Sequence, residues 1–324
     1  MLNIKKFAIS CALVAGLSAG SAQAQDCGEV SITEMDWGSA VIVTQVAKFL
    51  LEQGYGCSIT VVPSASTPAL ASVSETGEPD IITEVWTNGA PAYIPLLEAG
   101  KINELTHVLS DGGVEGLWIP VYLAEAHPEL LTIEGVLANP DLVGNRMHNC
   151  PVGWTCQVIA TNVAKAGGFE ASGVEDFVHG SGETLTASIA SAYSSKEPWF
   201  GYYWSPSLVL GKYPMVQVAL GSHDPAQQAC NSDVNCATPM VQNWPSSVVT
   251  TVVTDTFEAS HPAEADVMRN LSFTNAMMNG LLAWQDENKA TGDEAAVYFL
   301  STQQDIWKSW INDSARGKLA ALLQ

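Results

Sequence analysis

Strand-like and helix-like segments alternate through the first third of the chain, and this order limits the fold more than any other feature. The predicted strands and helices alternate in the order Ser31–Met35, Ser39–Gln53, Ser58–Val62, Pro68–Val73 and Asp80–Val85. Strand-helix-strand repeats predict a partly parallel sheet covered by helices, and hence an α/β fold. Ligands of such sheets lie beyond the carboxyl ends of the strands, where Trp37 and Trp86 fall.

The N-terminus has the three parts of a secretory signal peptide. A basic pair at residues 5–6 precedes an apolar stretch at residues 7–17, and the small residues 22–24 form a cleavage site. We therefore expect removal of residues 1–24 and export of the mature chain to the periplasm. No lipobox precedes Cys27, so we expect no lipid anchor, and no later apolar run is long enough to cross a bilayer.

The composition of the chain changes in its middle. Residues 120–245 are richer in Gly, Ser and Pro than residues 246–324 and carry four of the six cysteines that follow the signal peptide. This change predicts two α/β lobes, of which the second is inserted into the first. Residues 25–119 and 246–324 are expected to form lobe 1, and residues 120–245 lobe 2. The chain is expected to cross between them near Trp118–Tyr122 and Trp244–Val249.

Six cysteines follow the signal peptide, which suits an oxidising compartment and predicts disulfides. Sequence alone does not fix their connectivity. Two pairs are close in sequence and leave one further pair, so the favoured bonds are Cys150–Cys156, Cys230–Cys236 and Cys27–Cys57. Zinc is the competing interpretation. It is disfavoured because the short spacings are C-x5-C and no histidine is suitably interleaved.

Charge and motifs narrow the class of function. The formal net charge of −21 disfavours nucleic acid and anionic membrane surfaces as partners. The string GLSAG resembles a nucleophile elbow but lies in the signal peptide, and there is no phosphate-binding glycine loop and no HExxH motif. We therefore predict a protein with no catalysis, no cofactor and no metal. A secreted hydrolase or lyase is the alternative from another class, and a sensor module is a third.

The chain contains ten tryptophans, and their surroundings divide them. Trp307 and Trp310 fall on the apolar face of a predicted final helix, Gln304–Leu323, so we expect them in the core. Three others, at positions 86, 154 and 204, are flanked by turn residues and therefore lie on loops. Aromatic rings held on rigid loops bind quaternary ammonium groups, each ring contributing roughly 0.5–2 kcal/mol. A Cys150–Cys156 bond would fix the ring of Trp154 before the ligand arrives.

The same three segments resemble a known family. The loop CPVGWTC, residues 150–156, is similar to the C-N-P-G-W-G-C loop of periplasmic glycine betaine/proline betaine-binding proteins. EVWTNGAP, residues 84–91, resembles that family's N-W-T-P-L-H segment, and FGYYWSP, residues 200–206, resembles its aromatic-Y-x-W-T-P segment. The segments occur in the same order and at similar spacing. With the helix that carries Asn275–Asn279, the resemblance spans nearly the whole mature chain.

The resemblance implies a fold and a site. The fold is the two-lobe, type II-like periplasmic binding protein fold, with the ligand in the interlobe cleft. Trp86, Trp154 and Trp204 would form a box around a trimethylammonium group, and the backbone N–H groups of Thr155 and Cys156 would hold a ligand carboxylate. The partners would be a small methylated ammonium ligand and an ABC permease in the inner membrane. We expect a monomer.

One departure from the family pattern bears on the ligand. Ala90 stands where the family has a histidine that binds the carboxylate. Glu115 and Trp118, in GVEGLWIP, fall near the first predicted crossing, where an acid and a fourth ring would suit a ligand without a carboxylate. The alternative for Glu115 is a solvated loop acid. We therefore favour trimethylamine N-oxide slightly over glycine betaine, with proline betaine or choline as further alternatives.

Overall fold

The computed structural model describes residues 27–323, so the predicted signal peptide lies outside the described residues. Within this range the strands are β1 (Gly28–Met35), β2 (Cys57–Ser64), β3 (Ile81–Trp86), β4 (Ile102–His107), β5 (Val114–Pro120), β6 (Arg146–Asn149), β7 (Glu175–Val178), β8 (Gly201–Ser205), β9 (Met215–Gln217) and β10 (Val249–Thr254). They form two five-stranded sheets. The predicted α/β two-lobe fold is confirmed.

Both sheets have the same arrangement of strands. The first has the order β2-β1-β3-β10-β4, in which β1 is parallel to β2 and β3, while β10 is antiparallel to β3 and β4. The second has the order β7-β6-β8-β5-β9, in which β5 is the antiparallel strand. The parallel strands explain why β3 is an unbroken buried run, Ile81–Trp86, with helices on both faces.

The helices connect and cover these strands. They are α1 (Gly38–Phe49), α2 (Ser66–Thr76), α3 (Tyr93–Glu98), α4 (Val121–Ala126), α5 (Ile133–Ala138), α6 (Thr155–Gly167), α7 (Gly182–Ser195), α8 (Leu208–Lys212), α9 (Pro225–Asn231), α10 (Asp255–Ser260), α11 (Pro262–Asn270), α12 (Asn275–Asn288), α13 (Gly292–Thr302), α14 (Gln304–Trp307) and α15 (Asp313–Ala320). Five short helical turns complete the set: Leu50–Tyr55, Thr87–Gly89, Pro128–Leu131, Pro140–Val143 and Glu170–Ser172. Within residues 27–323 no helix is both long and apolar enough to cross a membrane.

Two helix boundaries differ from the sequence prediction. Helix α1 begins at Gly38 with Trp37 as its N-cap, whereas Ser39 lies inside the first turn and its hydroxyl points into the core. The predicted single helix Gln304–Leu323 is broken into α14 and α15. Helix α15 begins after Asn312, because the side chain of this residue accepts a hydrogen bond from the backbone N–H of Ala315 and caps the helix.

The two crossings between the sheets pair with each other. Gly113 and Ser247 exchange two backbone hydrogen bonds, both of 2.8 Å. Strand β5 belongs to the second sheet, so the first crossing comes before Val114 and not at residues 118–122 as the sequence predicts. The apolar run Leu117–Pro120 continues a strand and does not mark a boundary. The division into lobes remains a proposal, with its first boundary moved to this segment.

Three disulfides join the cysteine pairs favoured by the sequence. Cys27–Cys57 ties the start of β1 to the start of β2. Cys150–Cys156 and Cys230–Cys236 each close a loop with a sequence separation of 6 residues. All six cysteines of the described chain are therefore paired, which occupies the sulfurs that the zinc interpretation requires.

Candidate functional site: an aromatic cage between the sheets

A pocket lies where carboxyl ends of strands from the two sheets face each other. Trp37 follows β1, Trp86 ends β3, and Trp204 lies near the end of β8. This is the edge at which open α/β sheets bind ligands. The lining residues are Trp37, Ser66, Trp86, Glu115, Trp154, Thr155, Cys156, Tyr202 and Trp204.

Four tryptophans form the walls of this pocket, which we call the aromatic cage: Trp37, Trp86, Trp154 and Trp204. Trp154 stands between Trp37 and Trp204, with ring centroids 5.2 Å from each and interplanar angles of 68° and 78°. Rings set nearly at right angles present adjoining π-surfaces to one enclosed point. A methylated ammonium group has no N–H to donate and is attracted by such surfaces.

Three of the four indole N–H groups of the cage, those of Trp37, Trp86 and Trp154, have partners outside it. Trp154 donates to a carboxylate oxygen of Asp36 at 2.7 Å, and this bond links the second sheet to the end of β1 in the first. Trp37 and Trp86 both donate to Glu84, which is fully buried in β3. Because these three N–H groups are satisfied elsewhere, the faces of their rings are left for a ligand. Burial raises the pKa of Glu84, opposed in part by these hydrogen bonds.

Glu115 supplies a carboxyl group inside the cage. It lies on β5 opposite Trp204 of β8 and is only 4% exposed. Tyr202 donates its hydroxyl proton to one carboxylate oxygen at 2.7 Å, and Ser247 of the second crossing donates to the other. Burial raises the pKa of Glu115, while its hydrogen bonds with Ser247 and Tyr202 act in the opposite direction. The alternative interpretation of Glu115 as a solvated loop acid is therefore wrong.

Thr155 and Cys156 bring the start of a helix to the cage. They are the first two residues of α6, whose N-cap is Trp154. The first N–H groups of a helix lack intrahelical partners and carry the positive end of the helix dipole. This part of the pocket can therefore hold an anionic group. The preceding Gly153 has φ +93°, a conformation that favours glycine and lets the loop pack against Ala65.

The structure brings six of the seven predicted site residues into one pocket and excludes Trp118. Side chains alternate along a strand, so residues 115 and 118 point to opposite faces of β5. Trp118 instead donates its N–H to the backbone oxygen of Tyr203 at 3.0 Å. The fourth ring of the cage is Trp37. Its position directly after β1, at the carboxyl end of a parallel strand, indicates a place at the ligand cleft.

Two further groups escaped the sequence analysis. Tyr202, inside the FGYYWSP segment, both lines the cage and binds Glu115. Glu84 is not among the residues predicted from the sequence. It is the one charged residue in the strand IITEVW, and this contrast is the sequence signal that could have identified it. Ala90, where the resemblance expects a histidine, is buried next to the turn that packs on Thr155.

Opening the Cys150–Cys156 bond is expected to weaken ligand binding. The bond braces the loop that carries Trp154, so its loss adds the entropic cost of ordering that ring. The double variant Cys150→Ser/Cys156→Ser should bind a methylated ammonium ligand about tenfold more weakly by calorimetry. The matched control is Cys230→Ser/Cys236→Ser, which opens a loop of the same length away from the cage. Equal affinity losses in the two variants would contradict a bracing role.

Known proteins share this fold. The chain is similar to the glycine betaine/L-proline-binding protein of an ABC transporter from Borrelia burgdorferi, with a TM-score of 0.74, 18% identity, and coverage of 90% of this chain and 99% of the other. It is also similar to an ABC-transporter choline-binding protein in complex with choline, with a TM-score of 0.72, 18% identity, and coverage of 91% and 98%. These matches define the class of the protein: a two-lobe α/β periplasmic binding protein fold.

Sequence comparison identifies the family. Residues 28–302 match the family described as the substrate-binding domain of the ABC-type glycine betaine transport system, and the chain belongs to this family. The protein is thus an extracytoplasmic substrate-binding component of an importer for quaternary ammonium compatible solutes. The expectation that it is not an enzyme is confirmed, because this is a family of binding proteins. The trimethylamine N-oxide-binding protein of Pelagibacter ubique (strain HTCC1062) is 21% identical over 311 residues, 89% of this chain and 93% of the relative.

Proposed function

We propose that this protein captures trimethylamine N-oxide in the aromatic cage, in preference to glycine betaine. The observation that carries the proposal is the buried carboxyl group of Glu115 in the wall of the cage. The trimethylammonium head of the ligand meets the four rings, and its single oxygen meets Glu115. A ligand with one oxygen next to its nitrogen is the smallest that satisfies both contacts.

The proton balance of this contact favours an N-oxide. The ligand oxygen carries negative charge, so it is repelled by an ionised Glu115 and attracted by a protonated one. Burial raises the pKa of Glu115, which favours a proton on the pair at a pH where an exposed carboxyl has lost it. The shared proton then makes a charge-assisted hydrogen bond, roughly twice as strong as a neutral one. Tyr202 and Ser247 hold the carboxyl in place.

Two comparisons support this choice of ligand. The similar protein from Pelagibacter ubique is described as binding trimethylamine N-oxide. The histidine that binds the ligand carboxylate in glycine betaine-binding relatives corresponds to Ala90, which has no donor in its side chain. A ligand with no carboxylate does not need that donor.

Glycine betaine is the second candidate, and one observation favours it. The start of α6 at Thr155 and Cys156 is suited to a carboxylate. In that arrangement the rings hold the same trimethylammonium head, but the ligand carboxylate lies away from Glu115. Choline is a third candidate, since its hydroxyl can donate to an ionised Glu115.

The site also fits a place in the cell. We propose that residues 1–24 direct export to the periplasm, and that the mature protein acts as a monomer. The Trp154–Asp36 bond joins the two sheets across the cage, so ligand capture is coupled to closure of the lobes. The closed form then docks on an ABC permease in the inner membrane. We therefore propose that the protein serves in uptake of the ligand and not in sensing it.

Binding heats measured for four ligands test the assignment. We expect trimethylamine N-oxide to bind at least about tenfold more tightly than glycine betaine, choline or carnitine, a difference of roughly 1.4 kcal/mol. That difference is within what one hydrogen bond to a charged group contributes. Tightest binding by glycine betaine would overturn the choice of ligand and favour the α6 start as the polar contact. Binding of none of the four would overturn the proposed function.

A further inference from the structure

A second buried acid lies behind the cage. Glu84 is in the middle of β3, where every residue from Ile81 to Trp86 is buried, and Glu84 itself is 0% exposed. No salt bridge among the described residues includes it. A carboxylate taken out of water without a cation destabilises the fold, so its presence there requires a compensating interaction.

The compensating interactions converge on one atom. Oε1 of Glu84 accepts hydrogen bonds from Nε1 of Trp37 at 2.7 Å, Nε1 of Trp86 at 2.9 Å and Oγ of Ser39 at 2.9 Å. The other oxygen, Oε2, is buried and has no hydrogen-bond partner within the described chain. Burial raises the pKa of Glu84, and the three donors on this one oxygen act in the opposite direction by stabilising the ionised form.

We propose that Glu84 is a positioning residue that makes the cage selective for a permanently charged trimethylammonium head. One carboxylate oxygen holds two of the four cage rings, and its negative charge lies at their N–H edges. The inference rests on the proposed function of the cage. It adds a residue that touches no ligand and acts through Trp37 and Trp86.

The physical reason has two parts. Rings fixed by a shared acceptor need no ordering when the ligand arrives. In addition, an indole N–H that donates to a carboxylate leaves its ring richer in electrons, and the buried charge itself attracts a cation across a medium of low dielectric constant. The second part acts only on a charged ligand. A neutral molecule of the same shape fills the cage without benefiting from it.

Pairs of ligands that have the same shape but differ in charge distinguish the effect of ligand charge on affinity from the effect of ligand shape. Trimethylamine N-oxide and tert-butanol form one pair, and choline and 3,3-dimethylbutan-1-ol form another, in which carbon replaces the charged nitrogen. Dissociation constants for both members are measured by tryptophan fluorescence with wild-type protein and with Glu84→Gln. The glutamine keeps the acceptor oxygen for the indoles but has no charge. We expect the variant to lose about tenfold in affinity for the ligand with the charged nitrogen and less than about twofold for its carbon isostere.

Two variants control for damage to the fold. Thr44→Val removes buried hydrogen bonds to Thr33 and Thr83 in the same layer without touching a ring, and should lower stability while keeping the cation preference. Glu84→Asp keeps the charge, so it should retain the preference within about a factor of two even if Glu84→Gln does not fold.

The outcomes are distinct. Three results would overturn the inference while the proposed function stands. They are unchanged affinities in Glu84→Gln, equal losses in that variant for both members of a pair, and a lost cation preference in Glu84→Asp. Failure of wild-type protein to bind any of the cations would overturn the proposed function, and the role of Glu84 with it.

Discussion

Alanine in place of Trp154 is expected to weaken binding of trimethylamine N-oxide about a hundredfold. The substitution removes the ring that stands between Trp37 and Trp204, and a desolvated ring contributes up to about 2 kcal/mol to binding of a cation. It also removes the hydrogen bond to Asp36 that links the two sheets, worth roughly 1.5–3 kcal/mol because the acceptor is a carboxylate. Together these losses amount to roughly 3 kcal/mol, or two orders of magnitude in the dissociation constant measured by calorimetry.

Trp310→Ala is the matched control for loss of an indole. Trp310 packs edge-on against Phe273 and stacks on Phe299, with ring centroids 5.5 and 5.6 Å away, and it has no part in the cage. Its removal should destabilise the fold by about 3–5 kcal/mol and lower the melting temperature. The affinity of the folded protein should stay the same. An affinity loss in Trp310→Ala as large as in Trp154→Ala would show that the effect is one of general stability.

Local patterns in the sequence predict much of this molecule. The alternation of strands and helices up to Trp86 depends on hydrophobic periodicity and turn residues within short windows, so its elements are found within a few residues of their predicted places. The three tryptophans at positions 86, 154 and 204 were recognisable because glycine, proline and cysteine occur near them. The prediction that all three lie on loops is wrong, since Trp86 ends β3 and Trp204 is in β8, and only Trp154 lies on a loop.

Other parts depend on contacts between distant segments. Glu115 and Trp118 were paired in the prediction because both lie near a crossing, but the segment is a strand, and a strand sends residues three apart to opposite faces. Trp37 joins the cage only because β1 and β3 are neighbours in a parallel sheet and both ends meet the second lobe. No local sequence pattern indicates that the ends of β1 and β3 contact the second lobe.

Buried charge is the hardest feature to infer from sequence. Glu84 and Glu115 are two of 34 acidic residues, and the sequence alone does not show that both are buried. Each became recognisable once its donors were known: two indoles for Glu84, and Tyr202 with Ser247 for Glu115. The donors of Glu115 come from residues 87 and 132 positions away along the chain.

Glu115→Gln is expected to reverse the order of ligands. The amide cannot share a proton with an N-oxide, so trimethylamine N-oxide should bind at least about tenfold more weakly, since a charge-assisted hydrogen bond is replaced by a neutral one. Glycine betaine should bind as well as before or better, because a negative charge in the pocket no longer repels its carboxylate. Glu183→Gln is the matched control: it makes the same chemical change at an exposed acid of the outer cleft and should alter neither affinity.

The pH dependence of binding shows whether a proton is taken up or released when the ligand binds. The pKa of Glu115 is raised, so below that pKa the carboxyl keeps the proton that the N-oxide complex needs, and affinity is greatest there. Above it each complex takes up one proton as it forms, so affinity for trimethylamine N-oxide should fall by up to about tenfold per pH unit. Choline should show the opposite slope, because an ionised Glu115 accepts its hydroxyl and attracts its charge. In Glu115→Gln both slopes should disappear. A slope for trimethylamine N-oxide that survives the substitution would mean that another group carries the proton and that Glu115 is not the polar contact of the ligand.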